Sequence, residues 1–318
     1  MRETNRPALR TAAGDRTFGT DRPPRFGWAL LPLLIFPLLV ADLELGASAL
    51  SRDGAHYRSV DSLDTSIPVG NPRPLDTMLH DFGAFFTDGW TVVQRPLHFS
   101  GHQWGIAGGM LGTGAVVMAF DEDLNEDMDE LEGEAWDGIA TLGNAIGENE
   151  IGLLAGAVVY LPGLLFDLPE VRRAGRHVLQ TLVYTAAIGS LLKHSLGRSR
   201  PYRNVGAYEF AGPWQTSNDF LALPSGHVIV AFSIASSLAA DIDNPWATAG
   251  LYALASTTAF GRLHTDQHWA SDVLFGAIIA SVIGHATATS DDPVPSEDKG
   301  TSFRLTPTTS GIAASWSW

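Results

Sequence analysis

The chain has 318 residues, with 20 Lys and Arg against 35 Asp and Glu, a formal net charge of −15. That acidity argues against a nucleic-acid-binding protein, which needs a cationic face to meet phosphate. The absence of cysteine excludes disulfides, thiolate nucleophiles and thiolate metal sites.

Residues 1–49 carry six arginines (Arg2, Arg6, Arg10, Arg16, Arg22 and Arg25), an apolar run from Trp28 to Ala41, and then Ala47-Ser48-Ala49. This is the pattern of a signal peptide or, uncleaved, of an N-terminal anchor. Either one places the following chain outside the cytoplasm, in the periplasm or cell envelope. Residues 50–100 are mixed and rich in Pro and Asp, and read as an N-terminal extension of a short helix or two and loops. From Gly101 onward, helical stretches are expected near 102–120, 135–146, 150–167, 174–195, 226–240, 245–262 and 268–286. Small residues such as Gly105, Gly108 and Gly112 recur among them, as close helix packing requires. With no strand alternation in this region, residues 101–289 read as an all-α bundle of about six core helices.

Ten of the seventeen positions in Asp121–Asp137 are Asp or Glu. The run lacks the spacing of a calcium loop and reads as a solvated acidic face. After Ser290 comes a polar Ser/Asp/Pro linker. The tail follows, in which Ile312, Ala314, Trp316 and Trp318 alternate as in a strand, so residues 290–318 are expected to be a linker and a strand-like tail. The apolar runs of the helical region are about 13 to 18 residues long, against roughly 20 for a bilayer crossing. The cluster Arg172-Arg173-Arg176 would face outward if the N-terminus is exported and every helix spans, against the usual distribution of positive charge. Membrane association is therefore open, and so is oligomeric state.

Three patches carry chemistry. Lys193-His194-Ser195-Leu196-Gly197-Arg198-Ser199-Arg200-Pro201 is a cationic island in an acidic chain, built around one of only two lysines. Arginine forks and a lysine point charge suit an oxyanion. Pro224-Ser225-Gly226-His227 directly precedes an apolar helix. The exposed N–H groups there attract anions, and a histidine in the first turn can exchange a proton near neutral pH. The third patch runs from Gly261 and Arg262 to His268 and Asp272. Residues four apart share a helix face, and a carboxylate on one imidazole nitrogen leaves the other free to attack.

In this order, the patches resemble the type 2 phosphatidic acid phosphatase family, with its K-x6-R-P, P-S-G-H and S-R-x5-H-x3-D motifs. Twenty-two residues separate the first two patches, and 33 lie between His227 and Gly261. One position departs from the pattern: Gly261 stands where the family has serine. The resemblance implies a metal-independent phosphatase acting on a phosphate or diphosphate monoester, with no cofactor. The substrate would be a lipid phosphate, an isoprenoid diphosphate or a soluble phosphomonoester. His268 would be the nucleophile that forms a phosphohistidine, Asp272 would orient it, and His227 would protonate the leaving oxygen. Lys193, Arg200, Ser225, Gly226 and Arg262 would cradle the phosphate. Arg198 lies in the same basic patch, but the motif does not call on it and it reads as a support behind the cradle.

Two other functions fit the same letters: a vanadium-dependent haloperoxidase, and a non-catalytic envelope protein of the same fold. A metal reading of His264, His268 and Asp272 leaves the cations unused. The partial echo at Arg95-Pro96 and Ser100-Gly101-His102 lacks the lysine and the spacing. The aromatic stretch 202–223, with Tyr202, Tyr208, Phe210, Trp214 and Phe220, reads as a packed loop lid beside the site, with contact to a lipid tail as the alternative.

Overall fold

The computed structural model describes residues 73–242 and 244–290, and the backbone of 302–308 and 311–317. The expected signal peptide or anchor lies outside the described residues. Among them are nine α-helices: α1 (Pro74–Gln94), α2 (Gly101–Met118), α3 (Asp121–Asp129), α4 (Glu134–Ile146), α5 (Asn149–Leu165), α6 (Pro169–Leu196), α7 (Gly226–Ile242), α8 (Pro245–His264) and α9 (Ala270–Ala288). Strands β1 (Ser302–Thr308) and β2 (Gly311–Ser317) pair antiparallel in the tail, from Ser302↔Ser317 to Thr308↔Gly311.

The helix boundaries follow local chemistry. Proline opens α1, α6 and α8, where its missing N–H costs nothing and its φ is already helical. At the start of α2, Ser100 and Gln103 cap each other reciprocally. The Asn244 side chain accepts from the Trp246 and Ala247 amides at the start of α8.

Helices α7, α8 and α9 form the centre. Val228, Phe232, Ala235 and Ala239 of α7 pack against Tyr252, Ala255 and Ala259 of α8 and Val273, Ala277 and Ala280 of α9. Small residues on all three let the axes approach closely. On the flank, α6 adds Val178 and Leu182 against Val230.

Two elements differ from the sequence reading. Residues 74–94 form a helix of 21 residues rather than short helices and loops. Two of its aspartates are partners for α5 and α6: Asp81 accepts from Tyr160 of α5 (2.8 Å) and Arg172 of α6 (3.3 Å), and Asp88 from Arg176 (2.6 Å) and Gln180 (2.8 Å) of α6. Removing one member of such a buried pair costs about 3–5 kcal/mol. The acidic run is also structured. Residues 121–129 are helical, and Asp121 is buried at 1% exposure, so that carboxylate is not part of a solvated face.

Apolar side chains stand exposed on the outer helices, among them Leu79, Phe82 and Phe86 of α1 and Leu154 and Val158 of α5. By length and composition Ala270–Ala288 could cross a membrane, although 67% of its apolar window is buried in the bundle. Gly101–Met118 and Asp121–Asp129 pass the same test only as a pair, bent by 59°.

Candidate active site

The first motif closes α6. Gly197, at φ 64°, adopts the left-handed conformation that ends the helix. The chain then turns back, with the Ser199 amide donating to the Glu209 carbonyl (2.9 Å) and the Ala211 amide to the Gly197 carbonyl (2.8 Å). This places Arg200 over the third motif. Its guanidinium donates to the backbone oxygen of Gln267 (3.2 Å) and to Gln267 Oε1 (3.1 Å), while Asn218 takes the other edge. The Trp269 indole N–H donates to the Ser199 carbonyl (2.8 Å) and ties the same two segments together.

The second motif starts α7 at Gly226. The Ser225 amide donates to the Asp272 backbone oxygen (3.0 Å), joining this motif to α9. The Ser225 hydroxyl is buried and makes no hydrogen bond, so it does not cap the helix that it precedes. Lys193 reaches the same corner. A Cβ placed on Gly226 would lie 3.9 Å from Lys193 Nζ, which donates to the Leu221 carbonyl at 2.7 Å. The next residue, His227, has Nε2 3.4 Å from Glu148 Oε1.

His268 and Asp272 do not share one continuous helix as expected. α8 ends at His264, the chain turns, and α9 begins at Ala270, so His268 precedes the helix and Asp272 lies in its first turn. They meet all the same, with Nδ1 3.6 Å from Asp272 Oδ2. The Asp272 carboxylate is held by the Trp269 amide (2.9 Å) and Arg198 (2.7 Å). The break also separates His264, whose Nε2 lies 3.1 Å from Asp137. Among the described residues no group of three His, Asp or Glu side chains is placed to hold a metal ion.

Arg262 donates to Asn144 Oδ1 (3.1 Å) and to Gln267 Oε1 (3.3 Å). Gln267 thus sits between the Arg200 and Arg262 guanidiniums, while Arg262 Nε is buried without a hydrogen bond. Gly261 faces α4 rather than the cations. A Cβ there would be 2.7 Å from the Ala140 carbonyl oxygen and 3.1 Å from Asn144 Oδ1, so this packing leaves no room for the serine of the family pattern.

The electrostatics favour a neutral imidazole at His268, facing cations. Burial, and then the charges of Lys193, Arg200, Arg262 and His227, push the His268 imidazole well below its ordinary range. Burial lifts the Asp272 carboxyl to about 6, with Arg198 opposing and Asp121 adding to the rise. Burial also brings Lys193 down to about 7, helped by Arg200 and Arg262 and opposed by Asp272. His227 is lowered by burial and by Arg262, against the pull of Glu148.

Every sequence-predicted site residue therefore converges on one region. Four neighbours escaped the sequence reading: Asn144, Glu148, Gln267 and Asp121. The signal for Asn144 was a lone amide in the apolar stretch 138–147. For Gln267 it was adjacency to His268.

The motif-bearing part of the chain is similar to known proteins. Residues 174–292 match the PAP2 superfamily. The matched region holds all three motifs and runs from within α6 to past the end of α9. Over 105 residues the chain is 30% identical to lipid A 1-phosphatase of Porphyromonas gingivalis, an alignment covering 32% of this chain and 24% of that protein. The chain thus spans about a quarter of the length of the curated relative it matches. Among solved structures, Aquifex aeolicus LpxE is similar at 17% identity with a TM-score of 0.38, covering 53% of this chain and 94% of that one.

Proposed function

We propose that the protein is a metal-independent phosphatase that removes phosphate from a lipid phosphate monoester through a phosphohistidine. The observation that carries this reading is the convergence of Lys193, Arg200 and Arg262 on the His268–Asp272 pair, with His227 alongside and buried, unbonded groups at Ser225 Oγ and Arg262 Nε. Buried polar atoms without partners are rare in folded proteins. Here they lie beside cations whose natural counterpart is a phosphoryl oxygen.

In the first step, His268 Nε2 attacks phosphorus while Asp272 faces Nδ1 and stabilises the charge that develops on the ring. The bond from phosphorus to the alcohol oxygen breaks, and His227 supplies the proton that this oxygen takes up. The equatorial oxygens are held by Lys193, Arg200, Arg262, Ser225 and the Gly226 amide, which positions the group and offsets its charge. His227 then takes a proton from water as that water breaks the N–P bond.

The lipid assignment is supported by the lipid A 1-phosphatase relative and by the exposed apolar faces of α1 and α5, which suit the surface of a membrane. The arginines and apolar run of residues 1–49 support action outside the cytoplasm.

The test is phosphate release from a short-chain phosphatidate, a prenyl diphosphate and p-nitrophenyl phosphate, with EDTA present throughout. Release from the phosphatidate, undiminished by EDTA, is expected; absence of release from all three would overturn the reading. The kcat/KM profile should be a narrow bell. Below about 6, Asp272 takes a proton and loses the charge that supports His268. On the alkaline side His227, whose proton affinity burial and Arg262 lower, gives up the proton needed by the leaving oxygen, and above about 7 Lys193 loses the charge that holds phosphate. On p-nitrophenyl phosphate, whose leaving group needs no proton, Lys193→Arg should move the alkaline limb upward, because a guanidinium stays charged.

A further inference from the structure

We propose that Asp121 and Arg198 form a positioning pair that holds the Asp272 carboxylate against His268. Arg198 is fully buried, and its bonds leave nothing to offer an anion. Nε donates to the Ala207 carbonyl (2.9 Å) and Nη2 to the same carbonyl and to Asp121 Oδ2 (both 2.7 Å). Nη1 donates to Ser271 Oγ and Asp272 Oδ1 (both 2.7 Å). Asp121 completes the array: Oδ1 accepts the Ser271 amide (2.9 Å) and Oδ2 accepts its hydroxyl (2.6 Å). The two Asp272 oxygens therefore have separate duties. Oδ1 is tied to Arg198, while Oδ2 is tied to the Trp269 amide and faces His268.

The charges explain why two carboxylates share one guanidinium. Paired with Arg198 alone, Asp272 would have its charge largely neutralised on the side away from His268. Asp121 divides the hold of Arg198 and leaves Asp272 more basic toward the imidazole. Burial itself raises Asp121, and the contacts with Arg198 and Ser271 offset that cost. The other charges around this pair are cationic or titratable: Lys193 of α6, Arg200 of the following loop, His227 of α7 and Arg262 of α8 face His268, and Glu148 faces His227.

The proposal rests on the phosphatase reading and makes a prediction with a sign. Asp121→Asn removes a like charge, so the acid limb of kcat/KM should move down by about one pH unit, and kcat should fall on the order of tenfold to a hundredfold as the carboxylate shifts. Arg198→Gln removes the opposite charge and should move the same limb upward. Loss of packing alone would not move the limb in opposite directions. A folded, active Asp121→Asn enzyme with the wild-type acid limb overturns the proposal. Should neither charge variant fold, Ser271→Ala decides. It removes one hydrogen bond from each partner and no charge, and is expected to lower kcat about fivefold at unchanged KM; wild-type kcat would overturn the proposal. His268→Ala is assayed alongside. Full activity in that variant sinks the phosphatase reading and this proposal with it, whereas an inactive His268→Ala beside an unshifted Asp121→Asn sinks only the positioning pair.

Discussion

His268→Ala should lower kcat for phosphate release on the order of 10⁴-fold or more, the scale on which removal of a nucleophile reports. The imidazole is 1% exposed, kept neutral by burial and four neighbouring cationic or titratable groups, and faced by Asp272 at Nδ1. His227 is another imidazole of this region beside a carboxylate, Glu148 at 3.4 Å, but it is more exposed than His268. Rapid quenching of wild-type enzyme with radiolabelled substrate should trap an acid-labile, base-stable phosphoprotein that His268→Ala does not form. Turnover at the wild-type rate in the alanine variant would remove the nucleophile assignment. The cations should still bind phosphate in this variant, so inorganic phosphate remains a competitive ligand measurable by calorimetry.

His227→Ala should cost about 10²- to 10⁴-fold in kcat on a lipid alcohol leaving group, the usual contribution of a positioned acid. The loss should be smaller on p-nitrophenyl phosphate, since a nitrophenolate departs without a proton. The ratio of the two losses is the informative quantity: a general acid gives unequal losses, and a residue that merely binds phosphate gives equal ones. His227 also serves the water step, so the variant should accumulate phosphohistidine with the activated substrate. Glu148, 3.4 Å from Nε2, opposes the fall in the His227 proton affinity.

The helical core was legible because apolar and small residues dominate the stretches that become α7, α8 and α9. Gly105, Gly108 and Gly112, expected to serve close packing, instead face open space. The cationic site was legible because a lysine, two arginines, two histidines and an aspartate keep fixed spacings within short segments. What escaped depends on contacts between distant parts of the chain. Asp81 and Asp88 read as loop formers until Arg172 and Arg176, about 90 residues on, are seen beside them. Asp121 is one of ten acids in its run, and only the fold brings it to Arg198, 77 residues away. The four-residue interval from His268 to Asp272 was read as a helix face. The chain instead turns into α9 between them, with Asp272 accepting the Trp269 amide at the helix start.

The contact at Gly261 bears on how this protein can be engineered. Consensus design, which moves each position toward the commonest residue among relatives, would write serine there. The first added atom would stand 2.7 Å from the backbone oxygen of Ala140, and a helix backbone cannot give way as a flexible side chain can. The displaced α4 would carry Asn144 away from Arg262. A substitution chosen to restore a family letter would thus loosen a cation of the site, and thermal melting together with KM for phosphate ester would register both losses.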